Sequence, residues 1–174
     1  MIQLIDKSKP IDSISPPETA FLFTVWGHMV PPYRPDHTLI LGYGGGTVAE
    51  LMRKVWGQCK ITGVDLEMPR FVNYQEYKLM ECDAVEFVDD CTKDLIKTRF
   101  DYILVDLWEN GKVCQFIYSP EFVNRLKEMT KRFICVNIPV EDLGKMRAYN
   151  DAGFQFLRHV NVEGNIITWW SNEE

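Results

Sequence analysis

"HTLILGYGGGTVAE", residues 37–50, places four glycines directly behind an apolar run. "TLILG" (38–42) is too short for a helix and reads as a strand buried on both faces. "TVAELMRKVW" (47–56) then carries Val48, Leu51, Met52, Val55 and Trp56 at helical spacing. A plain turn would need one glycine. Gly42-Tyr43-Gly44-Gly45-Gly46 lets the backbone turn tightly and lets a ligand approach where a Cβ would clash. The helix that opens near Thr47 adds N–H groups with no partner inside the helix.

Short apolar runs and helical stretches alternate along the rest of the chain. "CKITGVD" (59–65), "YKLMECD" (77–83), "DYILVDL" (101–107) and "FICVNI" (133–138) read as further strands. "AVEFVDDCTKDLIK" (84–97) is helical, with Val85, Val88 and Leu95 facing inward. "SPEFVNRLKEMTK" (119–131) opens with Ser119 as N-cap, Pro120 at the first helical position and Glu121 in the first turn. "VEDLGKMRAYNDAGF" (140–154) reads as a helix closed by Gly153. "FQFLRHV" and "NIITWWS" flank "NVEG", a hairpin signal. Upstream, "MIQLID" is strand-like, a Ser/Pro-rich loop runs through Pro17, and "ETAFLFTVWGHMV" (18–30) is an apolar helix suited to packing on a sheet. Such alternation builds βαβ units and a parallel sheet. The expected class is α/β, a Rossmann-like three-layer sandwich with a C-terminal antiparallel hairpin. Residues 1–36 form an extension packed on the core, and 37–174 the ligand-binding domain.

The 174 residues suit one domain, with 46% apolar and 25% charged residues. A net charge of -6 disfavours nucleic acid, because phosphate contacts need a basic face. Cys59, Cys82, Cys91, Cys114 and Cys135 form no C-x-x-C pair, which points to reduced thiols in a cytoplasmic setting and to no metal. No charged-then-apolar leader and no apolar run near 18 residues is present, so no membrane partner is expected.

Three strands end in carboxylates at the edge that carries the glycine loop: Asp65, Asp83 and Asp106. Asp65 lies some twenty residues beyond the loop, where an acid accepts hydrogen bonds from ribose hydroxyls. Asp83, followed by Ala84, is placed to reach an adenine amino group; as a helix cap it needs no ligand at all. Dinucleotide binding is the competing use of such a loop.

"LILGYGGGTVAELMR", "ITGVDLE", "MECDAVEFV", "FDYILVDLWE" and "FIYSPEFVNRLKEMTKRFICVNI" together resemble class I S-adenosylmethionine-dependent methyltransferases, and within them the spermidine synthase branch. The resemblance spans 37–170. It implies a seven-stranded sheet of order 3-2-1-4-5-7-6, with an adenosyl sulfonium over Gly42, Tyr43, Gly44, Gly45 and Gly46. It further implies Asp65 and Leu66 at the ribose and Asp83–Ala84 at the adenine. The spermidine synthase branch moves an aminopropyl group from decarboxylated S-adenosylmethionine to a diamine, and its fourth strand ends in two acids three residues apart. Asp106-Leu107-Trp108-Glu109 keeps that spacing. An ammonium nucleophile must lose a proton before attack; Asp106 is placed to accept it, and Glu109 to orient the substrate. A solvated Glu109 and a strand-capping Asp106 are the plainer alternative.

The chain departs from that branch in several places. Where the branch reads G-G-G-D-G-G, Gly45 stands for the aspartate and Tyr43 for a glycine. The lost carboxylate weakens the preference for a decarboxylated donor. Only 36 residues precede the first strand, little for the branch's N-terminal β-hairpin domain, so the acceptor pocket is open or completed by a partner in a homodimer. The expected function is therefore methyl transfer from S-adenosylmethionine to a small-molecule acceptor, an amine among the candidates. Aminopropyl transfer in polyamine chemistry is the first alternative. A non-catalytic nucleoside-binding or scaffold domain, with Trp169–Trp170 as a half-buried interface, is the second. Tyr43 is expected to cover the sulfonium side. His28 either reaches the pocket from the N-terminal helix or packs on Trp26.

Overall fold

The computed structural model describes residues 24–67, 77–93 and 98–173. "MIQLID", the first residues of the 18–30 helix and Leu95 lie outside the described residues. Seven strands form one sheet: β1 (His37–Leu41), β2 (Lys60–Asp65), β3 (Tyr77–Glu81), β4 (Phe100–Val105), β7 (Thr130–Pro139), β8 (Gln155–Val162) and β9 (Asn165–Ser171). Their order is β3-β2-β1-β4-β7-β9-β8. With the two-residue strands β5 (Trp108–Glu109) and β6 (Lys112–Val113) set aside, this is the expected 3-2-1-4-5-7-6. β3, β2, β1, β4 and β7 run parallel; β9 pairs antiparallel with β7 and β8.

β1 and β4 are buried at every position, which is why they read as unbroken apolar runs. Their alternate residues feed two cores. Leu39, Leu41, Ile103 and Val105 face one layer, covered by α3 (Ala84–Thr92) and α4 (Pro120–Met129). Ile40, Tyr102 and Leu104 face the other, covered by α1 (Val25–His28) and α2 (Thr47–Trp56). Trp169 and Trp170, adjacent on β9, divide between the two: Trp169 stacks on Tyr102 and Trp170 on Tyr149. Each is 2% exposed, so the expected half-buried interface is absent and strand alternation explains the pair.

Local signals act where their chemistry requires. The Ser119 hydroxyl accepts the Phe122 N–H at 3.3 Å and Pro120 opens α4. Asp83 caps α3 by accepting the Val85 and Glu86 N–H groups at 2.7 and 3.2 Å. α3 ends at Thr92, and its buried face is Ala84, Phe87, Val88 and Cys91, with Val85 only partly buried. On α2, Val55 is 48% exposed, and Trp56 instead donates its indole N–H to the Pro31 carbonyl at 3.0 Å. Residues 140–154 are not one α-helix. A 3-10 segment, Val140–Met146, leads into a short α5, Arg147–Asp151. Asp142 is buried there, accepting the Tyr118 hydroxyl and the Lys145 ammonium at 2.9 and 2.7 Å. These contacts, with Gly144 in the middle, favour the tighter winding. Glu163 and Gly164, φ +53° and +85°, make the two-residue turn between β8 and β9.

At the opposite end of the sheet from the glycine loop, His37 packs on Phe100 with ring centroids 4.5 Å apart, and its Nε2 lies 3.0 Å from the Thr62 hydroxyl. Burial lowers its pKa from 6.5 to about 4, so the folded protein keeps the ring neutral. A base depressed in the folded state stabilises fully above the unfolded pKa, and that share is lost as pH falls from 6.5 towards 4. Denaturant unfolding at pH 7.5 and 5 is expected to show a loss of about 1–2 kcal/mol that is absent in His37→Gln. An equal loss in the variant would assign the acid sensitivity elsewhere.

Candidate functional site

The carboxyl ends of β1, β2, β3, β4 and β7 open into a cavity of about 700 Å³, within the roughly 300–1,000 Å³ of small-ligand sites. Its floor is the glycine loop. The Gly42 and Tyr43 N–H groups both donate to the Val64 carbonyl, at 2.9 and 3.1 Å, binding the loop to β2. Gly42 has φ +85°, and a Cβ there would lie 2.0 Å from the Asp106 carbonyl oxygen. Only glycine lets the chain turn while passing the end of β4 so closely.

Tyr43 takes an unexpected position. It is 4% exposed and belongs to the core that α2 covers. A Cβ on Gly46 would lie 2.8 Å from its hydroxyl, and one on Gly63 would lie 2.3 Å from its ring. Two missing side chains thus create the slot that the ring fills. The ring packs on the sheet, and the residue still contributes to the cavity wall together with Gly42, Gly44 and Gly45.

The acids that the sequence places at this edge converge. Asp65, Asp83, Asp106 and Glu109 all line the cavity, as do Leu66 and Ala84. Asp65 accepts the Gly44 N–H at 2.7 Å, which fixes its carboxylate against the loop. Its oxygens keep further lone pairs for hydroxyl donors. Asp83 is the cap described above, through one oxygen only. Asp106 accepts the Asn137 side-chain N–H at 2.9 Å. Glu109 stands on the β5–β6 ribbon, turned by Asn110 and Gly111 at φ +50° and +72°. Trp108, 36% exposed, precedes it in the wall. Cys82 and Cys114 also line the cavity. Burial raises both thiols, and the Asp83 charge adds to the effect, so neither is a ready thiolate.

Several wall residues carried no functional reading in the sequence: Val25, Trp26, Phe116, Asn137, Glu163 and Asn165. Asn137 was the most visible, an amide inside the apolar strand "FICVNI". His28 is not among the cavity-lining residues; its carbonyl accepts the Trp169 indole N–H at 3.2 Å. Among the described residues, no cluster of His, Cys, Asp and Glu is placed to hold a metal, and no helix is long and apolar enough to cross a membrane.

No protein-family model and no curated protein sequence matches the chain. Solved structures do match in fold. A putative methyltransferase from Haloferax volcanii, in complex with the Trm112 methyltransferase activator, superposes with TM-score 0.64 at 12% identity, covering 90% of this chain and 92% of that one. Human methyltransferase-like protein 13, in complex with S-adenosylhomocysteine, gives 0.61 at 17%, covering 78% and 71%. Spermidine synthase from Thermotoga maritima gives 0.60 at 14%; 89% of this chain aligns, but only 60% of the synthase is spanned. The fold is that of the class I S-adenosylmethionine-dependent methyltransferases, which the spermidine synthase shares.

Proposed function

We propose that this chain is an S-adenosylmethionine-dependent methyltransferase acting on a small-molecule nucleophile. The observation that carries this reading is the joining of Asp65 to the Gly44 N–H beside an open cavity at the strand ends. A carboxylate fixed there accepts the ribose hydroxyls, and the bare glycine backbone leaves room for the adenosyl group above it. Asp83–Ala84 then lies at the adenine. Thr47, Val48 and Ala49, the first residues of α2, line the same cavity, and the N-cap residue, Gly46, has no side chain to cap that helix. Backbone N–H groups at a helix N-terminus suit the methionine carboxylate of the ordinary donor.

Methyl transfer moves the methyl carbon from sulfur to the acceptor, and the sulfonium charge disappears as the bond to sulfur breaks. The protein's work is to hold the nucleophile in line behind that carbon and to take its proton. Asp106 is the proton acceptor in this assignment, steadied by Asn137, and Glu109 orients the acceptor. Aminopropyl transfer is the second reading. It is favoured by one observation, that no Lys, Arg or His lines the cavity among the described residues, which suits the doubly charged decarboxylated donor.

Calorimetry with S-adenosylmethionine, its decarboxylated form and S-adenosylhomocysteine separates the two. The ordinary donor and S-adenosylhomocysteine are expected to bind more tightly than the decarboxylated donor. The reverse order would replace methyl by aminopropyl transfer, and absence of binding by all three would leave only a scaffold role. Asp65→Ala is expected to weaken S-adenosylhomocysteine at least about tenfold, or 1.4 kcal/mol, with an unchanged circular dichroism spectrum. Unaltered affinity would remove Asp65 from the ribose site. Size-exclusion chromatography of the same samples tests the homodimer. Because the archaeal neighbour is seen with an activator protein, co-purifying protein in those samples would point to a comparable partner.

A further inference from the structure

The end of β7 and the β8–β9 turn beside it contribute their own wall to the cavity. Asn137 sits near the end of β7 on the same face as Cys135 and is 5% exposed. Its Nδ2 donates to Asp106 Oδ1 at 2.9 Å. A carboxylate only accepts, so this bond dictates which way the amide lies. Asn137 Oδ1 is left buried without a hydrogen-bond partner among the described residues, in a residue that lines the cavity. A buried carbonyl in that state calls for a donor, and the cavity is where one can arrive.

A second contribution comes from the β8–β9 turn. Glu163 occupies its first position at φ +53° and lines the cavity, with Asn165 just behind it. Turns of this kind prefer Asn, Asp or Gly at that position, so glutamate is not there for the turn's sake. Among the described residues, the charged ones that line the cavity are Asp65, Asp83, Asp106, Glu109 and Glu163, all acidic. A carboxylate or phosphate acceptor would meet repulsion from every charged wall residue and would offer no proton to Asn137 Oδ1.

We propose that Asn137 and Glu163 determine acceptor specificity, and that the acceptor is a cationic primary or secondary amine; this rests on the methyltransferase reading above. One N–H of the ammonium is donated to Asn137 Oδ1. A second proton passes to the Asp106 carboxylate. The nitrogen lone pair so released forms the bond to the methyl carbon as the carbon–sulfur bond breaks, its electron pair remaining on sulfur. The products are the N-methylated ammonium, neutral S-adenosylhomocysteine and a proton, which Asp106 returns to water. Glu163 balances the acceptor's charge from the β8–β9 turn. A tertiary amine carries one N–H when protonated and cannot satisfy both Asn137 and Asp106.

The test is titration of the S-adenosylhomocysteine-saturated protein with a primary alkylamine, matched secondary and tertiary amines, and an alkyl carboxylate of equal length. The primary and secondary amines are expected to bind at least about tenfold more tightly than the other two. Glu163→Gln is expected to weaken amine binding about tenfold while S-adenosylhomocysteine affinity stays within twofold. Asn137→Leu is expected to lose the preference for primary and secondary over tertiary amines. Should Asn137→Leu fail to fold, Glu163→Gln, at an exposed turn, still decides. Amine binding that ignores Glu163→Gln, or tighter binding of the carboxylate, overturns the assignment while S-adenosylhomocysteine binding keeps the donor reading intact. If S-adenosylhomocysteine does not bind, the donor reading falls. The amines are then titrated against the free protein, where dependence on Glu163 upholds the amine site and indifference to it ends that proposal too.

Discussion

Gly42→Ala is expected to be strongly destabilising. The new Cβ would stand 2.0 Å from the Asp106 carbonyl oxygen and 2.7 Å from its carbon, both backbone atoms. Neither can swing aside as a side chain can. Asp106 is held by its N–H to the Leu41 carbonyl at 2.8 Å, and the Gly42 N–H is bound to β2. Alanine also resists φ +85°. Strain of this kind, added to a backbone clash, places the loss at about 3 kcal/mol or more, the diagnostic end of single substitutions. For a chain of this length that is a fall of roughly 6–12 °C in Tm. Binding of S-adenosylhomocysteine should fall with it, because the loop and the end of β4 cannot keep their spacing. Thermal unfolding and calorimetry on one preparation check both. A variant within 1–2 °C of the parent would mean that the loop yields freely and that its shape is not imposed by β4.

Asp106→Asn is expected to separate chemistry from structure. The amide is nearly the same size as the carboxylate and can still accept the Asn137 N–H at the Oδ1 position. Fold and donor binding should survive. Proton acceptance should not, and general-base contributions of about 10²–10⁴-fold set the expected loss of turnover with an amine acceptor. Raising the pH should restore part of the rate, since a deprotonated amine no longer needs the base. A variant that keeps more than half of the parent's turnover at neutral pH would show that Asp106 only holds the acceptor.

The fold was legible because its central strands, buried on both faces, leave an unbroken apolar signature, and because Ser119-Pro120 and Gly164 mark boundaries by local chemistry. Residues 140–154 misled because helical spacing of apolar residues does not distinguish a 3-10 segment from an α-helix. The deciding contact, Tyr118 to Asp142, joins residues 24 positions apart. The β5–β6 ribbon was written in the sequence as Asn110-Gly111, a strong turn pair. Strands of only two residues on either side gave no alternation to confirm it. The site divides in the same way. Acids at strand ends can be counted along the chain. That Asn137 meets Asp106, 31 residues away, depends on the pairing of β4 with β7, which no local pattern encodes.

The slot filled by Tyr43 ties two distant positions to a single fate. β2 lacks a side chain at Gly63 so that a ring from the loop can lie there, and Leu79 closes in to within 2.7 Å of the same missing Cβ. Descent with modification should therefore move these sites in concert: a lineage that gains bulk at 63 must shed the aromatic at 43, and one that sheds the aromatic first gains from refilling the void. One ring thus binds two positions 20 apart in the chain to a single constraint.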